Sequence, residues 1–289
     1  MQSSVIIDTH AHLIAADSAA YPPAPPNGIV KPEELEYPLT VERLLAEMDR
    51  NGVARAVLVQ RGSIYGFDNR YVCDCAARYP TRLAAVCAID ATAGDAVQSV
   101  RQWVRKHGAA GIRLMELVKG SDLSWLDSPG ARTVWREACD SNLPVCVHFF
   151  PWNRTAGLLA LKSILTELPR ARVVIDHFSN MNTQAGPPDF GVDVLLSDVA
   201  QFAGVYVKFT TIPLGRLQAA GVDAAPIVAR MVALFGPQRV MWGSDITQTP
   251  GTYDYMVDLG RKAVRLLSPT EQDLLLAGTA QALYGSKWT

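Results

Sequence analysis

The chain has 289 residues, 49% of them hydrophobic, and carries 27 Lys and Arg against 28 Asp and Glu. That length suits two ordinary domains or one large α/β barrel, and the apolar fraction can fill a sizeable core either way. A net charge of -1 makes no electrostatic case for nucleic acid or an anionic membrane surface, so the expected partners are small molecules, or copies of the chain itself in a homo-oligomer.

No basic N-terminal region precedes a long apolar run, and no stretch approaches the roughly 20 apolar residues of a membrane span. A soluble protein without a signal peptide is expected. The five cysteines, Cys73, Cys75, Cys87, Cys139 and Cys146, are odd in number and lack framework spacing, which favours reduced thiols and a cytoplasmic setting. Cys73 and Cys75 fall two apart on a predicted helix and do not share a face, so a zinc clasp there is disfavoured and all five are read as packing residues.

Along the chain, short β-rich runs alternate with longer amphipathic ones. Strands are predicted over 5–9, 54–60, 83–89, 111–115, 144–149, 172–177, 204–209 and 239–243. Helical patterns fall between them, including "TVERLLAEMDRNG", "NRYVCDCAARYP" and "APIVARMVALFG". Thr40 is placed to cap the first of these, Gly52 follows its last turn, and Pro80 stops the second. Eight alternations in about the ~250 residues usual for the fold predict an α/β protein of the (β/α)8 TIM-barrel class, one domain over residues 1–289. The absence of a Gly-rich fingerprint after the first strand weakens an open dinucleotide-binding sheet. The proline-rich segment "AADSAAYPPAPPNGIVKPEELEYP" cannot continue a helix, and its place directly after the first strand marks it as a loop over the active site.

Chemistry concentrates at strand ends. "VIIDTHAHLI" presents His10 and His12 at alternate positions, which in an extended strand project from the same face. His148 ends the fifth predicted strand, His177 ends the sixth, and Asp245 follows the eighth in "GSD". The C-terminal ends of parallel barrel strands meet at one mouth, so these five groups are expected to converge. Singly, each is more often a hydrogen-bonded structural residue or a helix cap; independent structural residues have no reason to gather at corresponding ends. His107, in a last helical turn before glycine, suits the helix dipole and is assigned no chemistry.

With "DTHAH", a histidine after each of strands 5 and 6, and "GSD" after strand 8, the chain resembles the amidohydrolase superfamily, in its amidohydrolase-2 branch. "TVERLLAEMDRNGVARAVLVQ", "DNRYVCDCAARYPTRLAAVCAID", "GIRL" and "VYVKF" resemble the subgroup containing 2-pyrone-4,6-dicarboxylate lactonase and sugar-lactone hydrolases. The resemblance implies one divalent metal, usually zinc, on His10, His12, His148 and Asp245, with His177 as catalytic acid/base or polarising group. It also leaves open metal-independent catalysis, with Asp245 activating water and histidines polarising the carbonyl. A dinuclear site bridged by a carboxylated lysine is not expected, because Lys119 lies beyond the predicted fourth strand.

Cationic groups near the mouth are candidates for choosing a substrate. Arg113 and Lys208 sit within predicted strands, Arg61 follows the second, and Arg154, after the fifth, is expected to be merely solvated. Trp152, with Phe149 and Phe150, is a candidate apolar wall. Asp176 has the opposite strand parity from His177 and is expected to support the outside of the barrel. The leading expectation is hydrolysis of a small carboxylated or sugar-derived lactone, with Asp245 and His177 catalytic. Metal-dependent nonoxidative decarboxylation and a noncatalytic metabolite-binding barrel are the alternatives.

Overall fold

The structure is a computed structural model that describes residues 5–30, 32–120 and 122–288. Eight strands run in chain order: β1 Ile6–Ala11, β2 Val53–Val59, β3 Leu83–Ala88, β4 Gly111–Met115, β5 Val145–His148, β6 Val173–Ile175, β7 Val205–Thr210 and β8 Val240–Gly243. Each pairs in parallel with the next. The β8 end meets β1 through Asp245 N–H, which donates to His10 O at 2.7 Å, and Thr9 Oγ1, which donates to Trp242 O at 2.6 Å. Helices follow the strands, giving the expected (β/α)8 barrel.

Side-chain period explains the two apolar cores. Outward positions such as Ile6, Leu58, Ile112, Val147 and Phe209 pack with the helices. Inward Ile7, Val57, Val86, Cys146, Val174 and Met241 form a smaller cluster inside the barrel, joined by Tyr284 and Trp288 from the chain's C-terminal end. The interior is thus packed below and polar above, as a barrel requires when its mouth carries the chemistry. In β1 a register shift between Asp8 and Ala11 lets His10 take the inner face three positions after Ile7.

Local signals act as read. The Thr40 hydroxyl accepts from Arg43 N–H at 3.4 Å, and Gly52 closes helix Val41–Asn51 with φ of 70°. Helix Arg70–Arg78 ends before Pro80 and buries Cys73 and Cys75; all five cysteines are free. The segment 15–38, Lys31 aside, contains only the short helix Pro32–Glu36. It rests against Gly62–Tyr65 at the mouth, where Ala24 N–H donates to Ile64 O at 2.8 Å and Glu34 pairs with Arg61 at 2.7 Å. Among the described residues no helix is long and apolar enough to cross a membrane.

Candidate active site

His10 and His12 project from the same face of β1 and its extension, their rings T-shaped at a centroid separation of 4.9 Å. The His12 Nδ1 lies 2.7 Å from Val59 O. A carbonyl only accepts, so the ring proton is on Nδ1 and the Nε2 lone pair faces Asp245 Oδ1, 3.3 Å away. His10 Nε2 is 3.4 Å from the same oxygen, and both of those atoms are buried without a hydrogen-bond partner. Two acceptors facing each other in a dry site call for a cation between them. The donor atoms of His10, His12 and Asp245 all lie within 4.8 Å of one another, so this trio fits a divalent metal.

The backbone makes that convergence obligatory. A Cβ on Gly243 would stand 2.5 Å from His10 Cβ, so the first residue of "GSD" must be glycine for β1 and β8 to approach. Asp8 accepts from His10 N–H at 2.9 Å, from Ser244 N–H at 2.8 Å and from Tyr253 O–H at 3.0 Å, tying the two strand ends together. Thr249 O–H donates to Asp245 Oδ2 at 2.7 Å, which leaves Oδ1 for the histidines.

His177 completes the constellation with its ring 4.9 Å from that of His10 and 4.8 Å from that of His148. Its Nδ1 is 2.6 Å from Thr210 Oγ1. Strand β6 stops at Ile175, two residues earlier than predicted, and the chain then enters an unusual turn. His177, Phe178, Ser179 and Asn180 have φ of 53°, 52°, 59° and 49°, although none is glycine. Each such residue costs roughly 1–2 kcal/mol against its right-handed form, so the surroundings must hold the turn.

This break corrects the parity reading of Asp176. The alternation that turns Val174 inward carries on through the extended Asp176, which also points into the barrel, and it is His177 that leaves the strand period by entering the turn. Its Oδ2 accepts from Arg113 Nη2 at 2.9 Å and Nε at 3.1 Å, and its Oδ1 lies 3.3 Å from both Lys208 Nζ and His10 Nδ1. A charged residue in the otherwise apolar run "VVIDHF" was the available signal, since buried carboxylates need partners. Burial alone would raise the Asp176 carboxyl, but Lys208, His10 and Arg113 hold it well below the usual range. Asp245 is likewise lowered: burial pushes it up, and the neighbouring His12, His177 and His10 more than offset that. Burial lowers all four imidazoles, His10 and His148 most strongly.

His148 stands outside the three-residue metal cluster. Arg113 Nη2 is 3.1 Å from its Nδ1, and guanidinium only donates, so the neutral ring carries its proton on Nε2. That nitrogen is buried with no partner. His148 thus offers an N–H toward the cavity rather than a lone pair.

A cavity of about 410 Å3 opens over these groups, lined among others by His12, Arg61, Arg113, His148, Trp152, His177 and Asp245. Arg61 is buried and has two nitrogens, Nε and Nη1, without partners. Trp152 is 52% exposed and stacks on Phe150 at 4.5 Å; Glu116, which the sequence reading passed over, accepts its Nε1–H at 2.6 Å. Lys208, expected at the mouth, is instead fully buried, 3.2 Å from His10 Nδ1. It sits two residues before Thr210 on the same face of β7, one layer deeper in the barrel. Arg154, expected to be solvated, is buried: Nε donates to Ser179 O at 2.9 Å and the guanidinium pairs with Asp193. Phe149 is fully buried in the outer core. Lys119 is exposed, 4.8 Å over the Trp152 ring.

The amidohydrolase family profile matches residues 7–286. The chain is 30% identical over 249 residues to L-fucono-1,5-lactonase of Burkholderia ambifaria, covering 83% of this chain and 79% of that protein. It is 28% identical over 241 residues to 4-sulfomuconolactone hydrolase of Rhizobium radiobacter, covering 82% and 74%. Among solved structures, a probable 2-pyrone-4,6-dicarboxylic acid hydrolase of Acinetobacter baumannii superposes with a TM-score of 0.75 at 22% identity, over 97% of this chain and 99% of that one.

Proposed function

Because the chain belongs to the amidohydrolase family, we propose that it is a hydrolase that opens a small lactone, carboxylated or sugar-derived, by attack of water on the ring carbonyl. The observation that carries this reading is the meeting of the His10 and His12 imidazoles with the Asp245 carboxylate at the floor of a cavity that also receives His148 and His177. Two relatives named for lactone hydrolysis support it.

In this reading His10, His12 and Asp245 hold one divalent metal, zinc by the suitability of two imidazoles and a carboxylate. Such an ion supplies positive charge against the developing oxyanion and makes water more acidic. Asp245, ionised at every physiological pH, orients the attacking water and receives its proton. His148 Nε2–H donates to the carbonyl oxygen as it gains charge. His177, neutral at the outset, takes the water proton on from Asp245 and passes it to the leaving alkoxide as the ring C–O bond breaks, giving a hydroxy acid with both groups back in their starting states. Arg61 has unpaired donors for a carboxylate or hydroxyl of the substrate, and Trp152 forms an apolar wall. Arg113 touches the cavity but is committed to Asp176 and His148, so its role is to fix the His148 proton. Lys208 acts beneath the imidazoles. The five free thiols support a reducing, cytoplasmic setting.

The test is a panel containing L-fucono-1,5-lactone and 4-sulfomuconolactone, followed by acid release and by carbon dioxide release, with metal content measured before and after chelation. Acid release without carbon dioxide, lost on chelation and restored by zinc, is expected. Carbon dioxide release would favour the decarboxylase alternative, activity that survives complete metal removal would favour the metal-independent route, and no turnover of any substrate would favour a binding protein.

A further inference from the structure

We infer that Arg154 is a positioning residue for His177, acting through Ser179 to hold the left-handed turn that presents the imidazole to the cavity. This rests on the reading above, in which His177 faces substrate. The turn consists of four successive non-glycine residues at positive φ, from His177 to Asn180, so its conformation is not one the chain adopts unaided.

Arg154 is the strongest external hold on it. Its Nε donates to both Ser179 O at 2.9 Å and Ser179 Oγ at 3.1 Å. The other end of the guanidinium pairs with Asp193, Nη2 lying 3.2 Å from Oδ1. Asp193 is itself fixed, because its carboxylate caps helix Val194–Ala200 by accepting Leu196 N–H at 2.9 Å. A rigid line therefore runs from a helix cap through a buried arginine to the third residue of the turn. A second hold, Asn180 Nδ2 donating to Phe149 O at 2.6 Å, fixes the far end but leaves the middle to Arg154.

The placement of Arg154 is otherwise unfavourable. It is the first residue of helix Arg154–Glu167, where the helix dipole disfavours a cation, and it is buried. A residue serving only its own helix would not be a buried arginine there. The Thr210 contact sets the rotation of the His177 ring; the arginine sets where the backbone puts that ring.

The experiment uses the full chain. Arg154→Met removes the donors and keeps much of the side-chain length. Hydrogen exchange in the peptide spanning 177–181 should quicken at least tenfold, and kcat on whichever lactone of the panel wild type opens should fall about 30-fold with KM within twofold. Adding Ser179→Gly to that variant should recover at least fivefold in kcat, because glycine enters the left-handed region without a Cβ clash. A role in stability alone would lower Tm with neither the kcat-against-KM split nor the glycine rescue. Asp193→Asn keeps a capping oxygen and frees the guanidinium, so it should fold even if Arg154→Met does not, with exchange about threefold faster and kcat about threefold lower. Unchanged exchange in the folded variants, unchanged kcat despite faster exchange, or failure of the glycine to rescue would each overturn the inference. Were wild type to turn over no substrate of the panel, the hydrolase reading would fail and the exchange measurement would decide this inference alone.

Discussion

Strand β1 and the turn after β6 both deliver a histidine to one cavity, by opposite means. His10 stands on strand backbone paired to β2 on either side of a register shift, which turns its side chain to the inner face. His177 stands beyond the last ladder bond of its strand, on left-handed backbone held by the Arg154 side chain and by the turn's own Asn180 donating to the Phe149 carbonyl. A histidine placed by a sheet is secured by repeating geometry, whereas one placed by a braced turn depends on a few named contacts. The first kind should tolerate loss of neighbouring side chains, and the second should not.

The largest effect is expected where both means meet. Asp245→Asn should lower kcat by about 10³-fold while Tm changes by only a few degrees; unchanged turnover would make the shared geometry incidental to catalysis. Asp176→Asn strikes the seam between the two regions, leaving Arg113 and Lys208 buried without their carboxylate. Such a loss costs about 3–5 kcal/mol, read from urea unfolding, and a cost below about 1 kcal/mol would mean that this network does not hold the interior together. Gly243→Ala sharpens the contrast, because its new methyl would press on His10 Cβ, the one intrusion a sheet-borne histidine cannot absorb. A drop in kcat of about 10²-fold is expected from so small a displacement, and wild-type kinetics would show that β1 can yield.

Acid should act on both regions alike, and per group it is the mildest probe. Burial lowers His10, His12, His148 and His177 below their ordinary value of 6.5. Above pH 6.5 these imidazoles are neutral in folded and unfolded chains alike, so their contribution is complete. As pH falls below 6.5 the unfolded chain takes up protons that the folded one resists, and stability declines by at most about 1.4 kcal/mol per unit for each histidine. Urea unfolding from pH 7.5 to 5.5 should show this loss. A flat profile would mean that the imidazoles are solvated.

Much of the site was legible in the primary structure because strand ends are. His10 and His12 needed only the period of two; His148 and Asp245 needed only the rule that parallel strands share a mouth. Arg154 was not legible: its partners Ser179 and Asp193 lie 25 and 39 residues away, and nothing in "WNRTAG" distinguishes a brace from a solvated side chain. Lys208 was assigned to the correct inner face but to the wrong depth, since period gives direction and not layer.

The amino-acid order alone determined the eight-fold alternation, the barrel class, and the histidines and aspartate at its mouth, because each follows from local periodicity and parallel pairing. Tertiary structure decided which partners meet Asp176 inside the barrel, the proton position on His148 and the departure of His177 from the strand period with its bracing. Those outcomes depend on where φ changes sign and on which donors a burial site brings within reach, and neither is encoded in spacing along the chain.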